Sequence, residues 1–162
     1  MKPTPRQLQQ QQKLRRVLDA HKHRVFNLMS KLSQEVMLRG NRHDDSKYED
    51  TEFLPYADMI DEFEKHPYGT KERDALYESI KPAVEHHHKH NRHHPEYHAE
   101  GIDGMNLVDL LEMLADWKSA TQNHPETPGD LKKSIELASK KYKISPQLTK
   151  ILYNTAIDFK ML

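Results

Sequence analysis

Leu14, Leu18, His21, Val25, Leu28 and Leu32 follow one another at steps of four and three residues. An α-helix turns once every ~3.6 residues, so side chains at this spacing line one helical face. A half-buried strand would need strict alternation instead. No stretch of the chain alternates in that way. No Asn-Gly or Asp-Gly pair joins two β-branched runs, so hairpins are not indicated either. The expected fold class is therefore all-α, a single-domain bundle of six to seven helices over residues 1–162.

Local signals divide that bundle. Thr4-Pro5 reads as the cap and first residue of a first helix that ends near Gly40. Gln9–Gln12 would suit a flexible Gln-rich start over residues 1–13. Gln is a good helix former, however, and the periodicity runs through the segment, so a helix is expected there. Asn41 caps a short second helix carrying His43 to Tyr48. A third helix covers about 51–65, with Phe53, Tyr56, Ile60 and Phe63 on one side. Pro67-Tyr68-Gly69 is a turn. Thr70 caps a fourth helix to about His90, which Pro82 is expected to kink. Residues 93–104 read as a loop. A helix from Asn106 to about Gln122 turns Leu107, Leu110, Leu111, Leu114 and Trp117 inward. Helices at 130–142 and 146–159 complete the set.

Composition narrows the function classes. Lys+Arg and Asp+Glu balance at 25 each, which gives no sign of a general nucleic-acid coat. No 18-residue apolar run exists, so no membrane span is expected. The N-terminus MKPTPRQLQQQQKLRR lacks the apolar core of a secretory signal. The chain has no cysteine, which removes disulfides and fits a cytoplasmic location.

Of the twelve histidines, seven fall between His86 and His98. Histidine and carboxylate without thiolate suit a working divalent transition-metal site (Fe, Mn, Ni, Co or Zn) better than a structural zinc knot. His21 continues the apolar stripe of the first helix, where a lone histidine is more often a hydrogen-bonded core residue than a ligand. His43-Asp44 can both reach one metal only where the backbone bends or where a helix end presents both. Otherwise Asp44 and Asp45 are acids favoured by a helix N-terminus. Lys47 follows one turn later as a point charge for a phosphate oxygen or a solvated lysine. Leu76, Ile80 and Ala83 step on to His87, which favours His87 over His86, His88 and His90 as the inward ring. His86 and His90, at i,i+4, also have ligand spacing. His93-His94 before Pro95 sets two imidazoles at a turn. Asn91 and Arg92 lie beside the cluster as candidate substrate contacts. Asp116 sits among Met113, Trp117 and Ala120, where a carboxylate is costly unless paired; Asp109 and Glu112 are its competitors.

The order His21, His43-Asp44, His87, His93-His94, Asp116 resembles the HD-domain superfamily of metal-dependent phosphohydrolases. His21, His43, Asp44 and Asp116 match that family's minimal ligand pattern, and His87, His93 and His94 match the additional ligands of its two-metal members. HDDSK is similar to the His-Asp-x-small-Lys motif of HD phosphodiesterases, which gives Lys47 a role beside the substrate phosphate. The absence of Gly-Tyr-Pro after the histidine pair speaks against a cyclic dinucleotide. More closely, HDDSKYEDTEF, IKPAVEHHHKHNRHHPEYH and GIDGMNLVDLLEMLADWKSAT resemble a small HD-like family of unknown function from bacteria and phages.

The resemblance implies an HD-like bundle that holds one or two divalent transition-metal ions. It implies a phosphohydrolase acting on a phosphate ester, a nucleotide above all, through a metal-activated hydroxide. Asp44 would bridge the ions and Lys47 would join it in catalysis. Two other readings stand beside it. One is a di-iron oxygenase on the same frame. The other is a non-catalytic accessory protein of phage origin that binds a nucleotide or a protein, working in the host cytoplasm, with Leu8, Leu14 and Leu18 as a candidate homodimer face.

Overall fold

A computed structural model describes residues 3–66, 70–122 and 129–162. Among them every regular element is helical: α1 (Pro5–Asn41), α2 (Asp50–Asp58), α3 (Ile60–Lys65), α4 (Lys71–Ser79), α5 (Lys81–His90), α6 (Leu107–Ala120), α7 (Leu131–Lys141) and α8 (Pro146–Asp158). Three short 3-10 turns lie at Asp45–Tyr48, Pro95–Tyr97 and Gly101–Gly104. The all-α expectation holds. The turn expected at Pro67-Tyr68-Gly69 lies outside the described residues.

The helix count differs from expectation for local reasons. The segment around His43 is a 3-10 turn rather than an α-helix. The third helix is interrupted at Met59, which leaves helical geometry at φ −104°, ψ 3°. The fourth breaks at Ile80 instead of kinking, and Pro82 falls in the first turn of α5. There its missing N–H would have had no intrahelical partner anyway.

The chain divides into two compact units, 1–41 and 42–162. The first is α1 alone, continuous through Gln9–Gln12. A single helix has no second element within its unit against which to bury an apolar stripe, and no residue of α1 is buried. His21 is accordingly exposed, not buried as its place on the stripe suggested.

The second unit has its core where α6, α7 and α8 meet. Leu114, Leu131, Ile135, Ile144, Leu152 and Ala156 are buried there, with Trp117, Tyr142 and Leu148 packed around them. Ile135 is fully enclosed; cutting it back to alanine would cost about 2–5 kcal/mol. Thr70 caps its helix as the sequence suggests, whereas Asn41 is the last residue of α1 and Asp44, not Asn41, precedes the next turn. Thr70 accepts from the Arg73 N–H, Asp130 from Lys132 and Ser145 from Leu148. At α6, Asn106 and Asp109 form a reciprocal capping box. The inward face of α6 is not the expected one. Asp109 is fully buried, together with Met113 and Leu114, while Leu107 and Leu111 are exposed. The inward assignment of Leu107 and Leu111 was thus wrong. Arg92 donates to both Asp109 oxygens, at 3.1 and 3.0 Å, and this pairing lets a carboxylate take the buried place.

A structured loop from Asn91 to Met105 links α5 to α6. Gly101 holds φ +58°, a left-handed position that suits glycine. A Cβ on Gly104 would lie 2.9 Å from the His98 Cβ, so the loop closes only with glycine there. His98 shares its ring Nε2 with the Arg92 carbonyl at 2.9 Å, fastening the loop to its own start.

Candidate metal centre

The backbone at His43-Asp44 bends as a shared site requires. Asp44 takes the left-handed conformation, φ 60°, ψ 22°, and the 3-10 turn starts behind it. A non-glycine residue there is uncommon, with Asn and Asp the best tolerated. The bend presents the Asp44 carboxylate between several imidazoles. Its Oδ1 lies 3.4 Å from His87 Nε2 and 3.6 Å from His93 Nε2. Its Oδ2 lies 3.4 Å from His43 Nε2 and 2.6 Å from Lys47 Nζ. From α6, Asp116 Oδ1 stands 3.5 Å from His43 Nε2.

Two overlapping sets of potential ligands result. Asp44, His87, His93 and His94 offer ligand atoms within 4.8 Å of one another, as do His43, His93 and Asp116. Both are formed by residues of the second unit alone. They unite six of the seven sequence-predicted ligands. The seventh, His21, belongs to the first unit and to neither set. A third set, His88, His94 and Glu96, shares His94 with the first.

The donor chemistry fits a transition metal. Asp44 Oδ1 and His93 Nε2 are buried and have no hydrogen-bond partner among the described residues. Such atoms are costly unless a cation or proton meets them. His87 Nε2 and His94 Nε2 approach to 2.9 Å. Two ligands at right angles on an ion, each about 2.1 Å from it, stand about 3 Å apart. The set contains imidazole and carboxylate and no thiolate, which favours iron, manganese, cobalt, nickel or zinc.

Two buried glutamates complete the surroundings. Glu52, on α2, is fully enclosed and accepts from His86 Nδ1 at 2.7 Å and His87 Nδ1 at 2.9 Å. Glu112, on α6, accepts from His43 Nδ1 at 3.0 Å and lies 3.2 Å from His93 Nδ1. Glu112 was a competitor of Asp116 in the sequence, and it sits one helical turn before it. Glu52 carried no such signal. It reads as an ordinary acid in the first turn of α2, and its histidine partners come 34 and 35 residues later.

Charge states follow from these contacts. Hydrogen bonds to Asp116 and then to Glu112 raise His43 to about 10, against the opposing effect of burial. Burial pushes His87 below its usual range, and burial together with neighbouring histidines pushes His94 far below it. Burial would raise Asp44, but the Lys47 ammonium and then the His87 and His43 rings outweigh it and hold the carboxyl low. Burial would raise Glu52 too, yet hydrogen bonds from His86, Ser46 and His87 hold it low.

The other predicted residues divide. Lys47 is at the site, on Asp44. Asn91 is buried, donating to Ser46 Oγ at 2.7 Å and to the His87 carbonyl at 2.8 Å. It joins the Asp44 turn to α5. Arg92 serves Asp109 and stacks near the Tyr97 ring. Both have structural partners where the sequence suggested substrate contacts.

No helix among the described residues is long and apolar enough to cross a membrane. No curated protein and no solved structure matches the chain. One family model does match, over residues 10–158, and by that match the chain belongs to the family of unknown function DUF5662.

Proposed function

We propose that this protein is a metal-dependent phosphohydrolase of the HD type that acts on a phosphate ester, with a nucleotide as the first substrate to try. The placement of Asp44 supports this reading best: its Oδ1 faces His87 and His93 while its Oδ2 faces His43. One carboxylate serving two imidazole sets is what a shared ligand between two cations needs. A divalent ion held by His43, Asp44, His87, His93, His94 and Asp116 would supply a water of lowered pKa and charge for the phosphoryl oxygens.

The remaining roles belong to side chains. Lys47 is exposed, with its ammonium 2.6 Å from Asp44 Oδ2, so a phosphoryl oxygen held beside that carboxylate would meet its charge. Asp116, partly exposed, marks the solvent side of the cluster, where a substrate enters. Glu52 and Glu112 lie behind the rings and hold their orientation.

Asp44→Asn tests the reading, since asparagine tolerates the left-handed backbone and keeps the side-chain shape. The wild type should carry stoichiometric transition metal by plasma mass spectrometry and release phosphate from a panel of nucleoside phosphates. The variant should lose both while its helical circular dichroism is unchanged. Full hydrolysis by Asp44→Asn would overturn the proposal. Bound iron with oxygen consumption and no phosphate release would move the function to di-iron oxygen chemistry. No metal in either protein would move it to a binding role.

A further inference from the structure

We infer that Glu52 is the positioning residue that fixes the ring proton of His87 on Nδ1, leaving the Nε2 lone pair for a divalent transition ion; this rests on His87 being a ligand of the proposed centre. A neutral imidazole carries one ring proton, and the partner of each nitrogen decides where it sits. His87 Nδ1 has two close neighbours, Glu52 Oε2 at 2.9 Å and Asn91 Nδ2 at 3.1 Å. A carboxylate can only accept. Asn91 has two amide hydrogens, and both are spent on Ser46 Oγ and the His87 carbonyl. No hydrogen remains to donate to Nδ1, so Nδ1 is the donor and Glu52 the acceptor. Nε2 is then a lone pair, facing Asp44 Oδ1 at 3.4 Å and His94 Nε2 at 2.9 Å.

The second Glu52 oxygen makes the arrangement hard to replace. It accepts from His86 Nδ1 at 2.7 Å, so both oxygens of a fully buried carboxylate are held by consecutive histidines of α5. Only a group that accepts on both sides can do this. Glutamine accepts on one side and donates on the other. In Glu52→Gln one of the two rings must turn its proton to Nε2, and at His87 that proton occupies the metal-facing atom. The tract of adjacent histidines on α5 thus divides into a ligand, His87, and a brace, His86.

Nitrogen-15 NMR of the metal-free protein at pH 8 reads the tautomer directly, with His87 assigned by its loss in His87→Gln. The inference expects the Nδ1–H form at His87 in the wild type. Glu52→Gln should raise the Nε2–H form at His86 or His87 at unchanged helical content, and a shift at His87 should weaken Zn²⁺ binding by about 10–100-fold. An Nε2–H His87 in the wild type overturns the inference, even where the variant does not fold. So does a folded Glu52→Gln in which neither ring gains the Nε2–H form, or one in which His87 gains it and Zn²⁺ affinity is unchanged. Neither readout uses a phosphate substrate, so failure of the hydrolase proposal would leave both results standing.

Discussion

His43 and the pair His87–His94 stand in the same cluster and carry opposite charge states. His43 lies between two carboxylates, Asp116 and Glu112, and is an imidazolium at neutral pH in the metal-free protein. His87 and His94 are buried among other imidazoles, and burial keeps them neutral. The difference comes from the elements that supply the neighbours. α6 brings acids one helical turn apart, whereas α5 and the loop after it bring rings. One set of potential ligands therefore has its lone pairs ready, and the other would first have to release a proton. The first ion should enter the His87 set, and occupancy of the His43 set should be the more strongly pH-dependent of the two.

His93 is the residue that ties the sets together, since it belongs to both and is almost wholly buried. Its replacement tests whether they act as one centre. His93→Gln should weaken Zn²⁺ binding by about 100-fold or more, beyond what loss of a surrounding carboxylate costs. His94→Gln, which touches only the ring-rich side, should weaken binding of one ion and leave the pH-dependent one. Competition against a chromogenic chelator reads both. Equal losses in the two variants would mean that the comparison between the sides has no functional content.

The unequal charge states also predict two limbs in the stability of the metal-free protein. His43 is raised from 6.5 to about 10. Its contribution is fully present below 6.5 and is lost as pH rises through about 10. His87 and His94 are lowered, so the stability gained by burying them neutral is present above 6.5 and is lost as pH falls below it. In chelator, the melting temperature should peak near pH 6.5. His43→Gln should flatten the alkaline limb, and His94→Gln the limb between about pH 5 and 6.5, above the range where carboxylates titrate. A profile whose alkaline limb survives His43→Gln would remove the imidazolium from the picture.

Much of this candidate site was legible because its potential ligands announce themselves by type and local spacing. His43-Asp44 needed a bend or a helix end to converge, and the left-handed Asp44 supplies the bend. The step from Leu76 through Ala83 pointed to His87, which is the buried member of its run. What stayed hidden depends on contacts far apart in the chain. Glu52 looks like any acid in a first helical turn until α2 meets α5. Leu107 and Leu111 face outward because Arg92 reaches Asp109 across 17 residues, a pairing that no periodicity encodes. The balanced net charge also covers an uneven distribution along the chain. Residues 1–41 hold nine Lys and Arg against Asp19 and Glu35, which leaves sixteen against twenty-three for the rest. A chain-wide zero therefore says little about what α1 can meet.

Arg92 offers the smallest and most selective perturbation. It was a candidate substrate contact, yet its Nε and Nη2 hold the buried Asp109, which in turn accepts from the Asn106 backbone N–H at 3.0 Å. This clamp fixes the loop that carries His93 and His94, while His43 stands on a separate turn. Hydrogen bonds to a charged group contribute about 1.5–3 kcal/mol, less where the donor is partly exposed, as Arg92 is. Arg92→Ala should therefore cost about 1–2 kcal/mol, a fall of roughly 2–8 °C in melting temperature for a chain of this size. It should weaken the ion held by the ring-rich side and leave the proton release linked to His43 unchanged, which calorimetry in buffers of different ionisation heat resolves. A variant with normal stability and metal binding but a raised KM for phosphate ester would return Arg92 to the substrate.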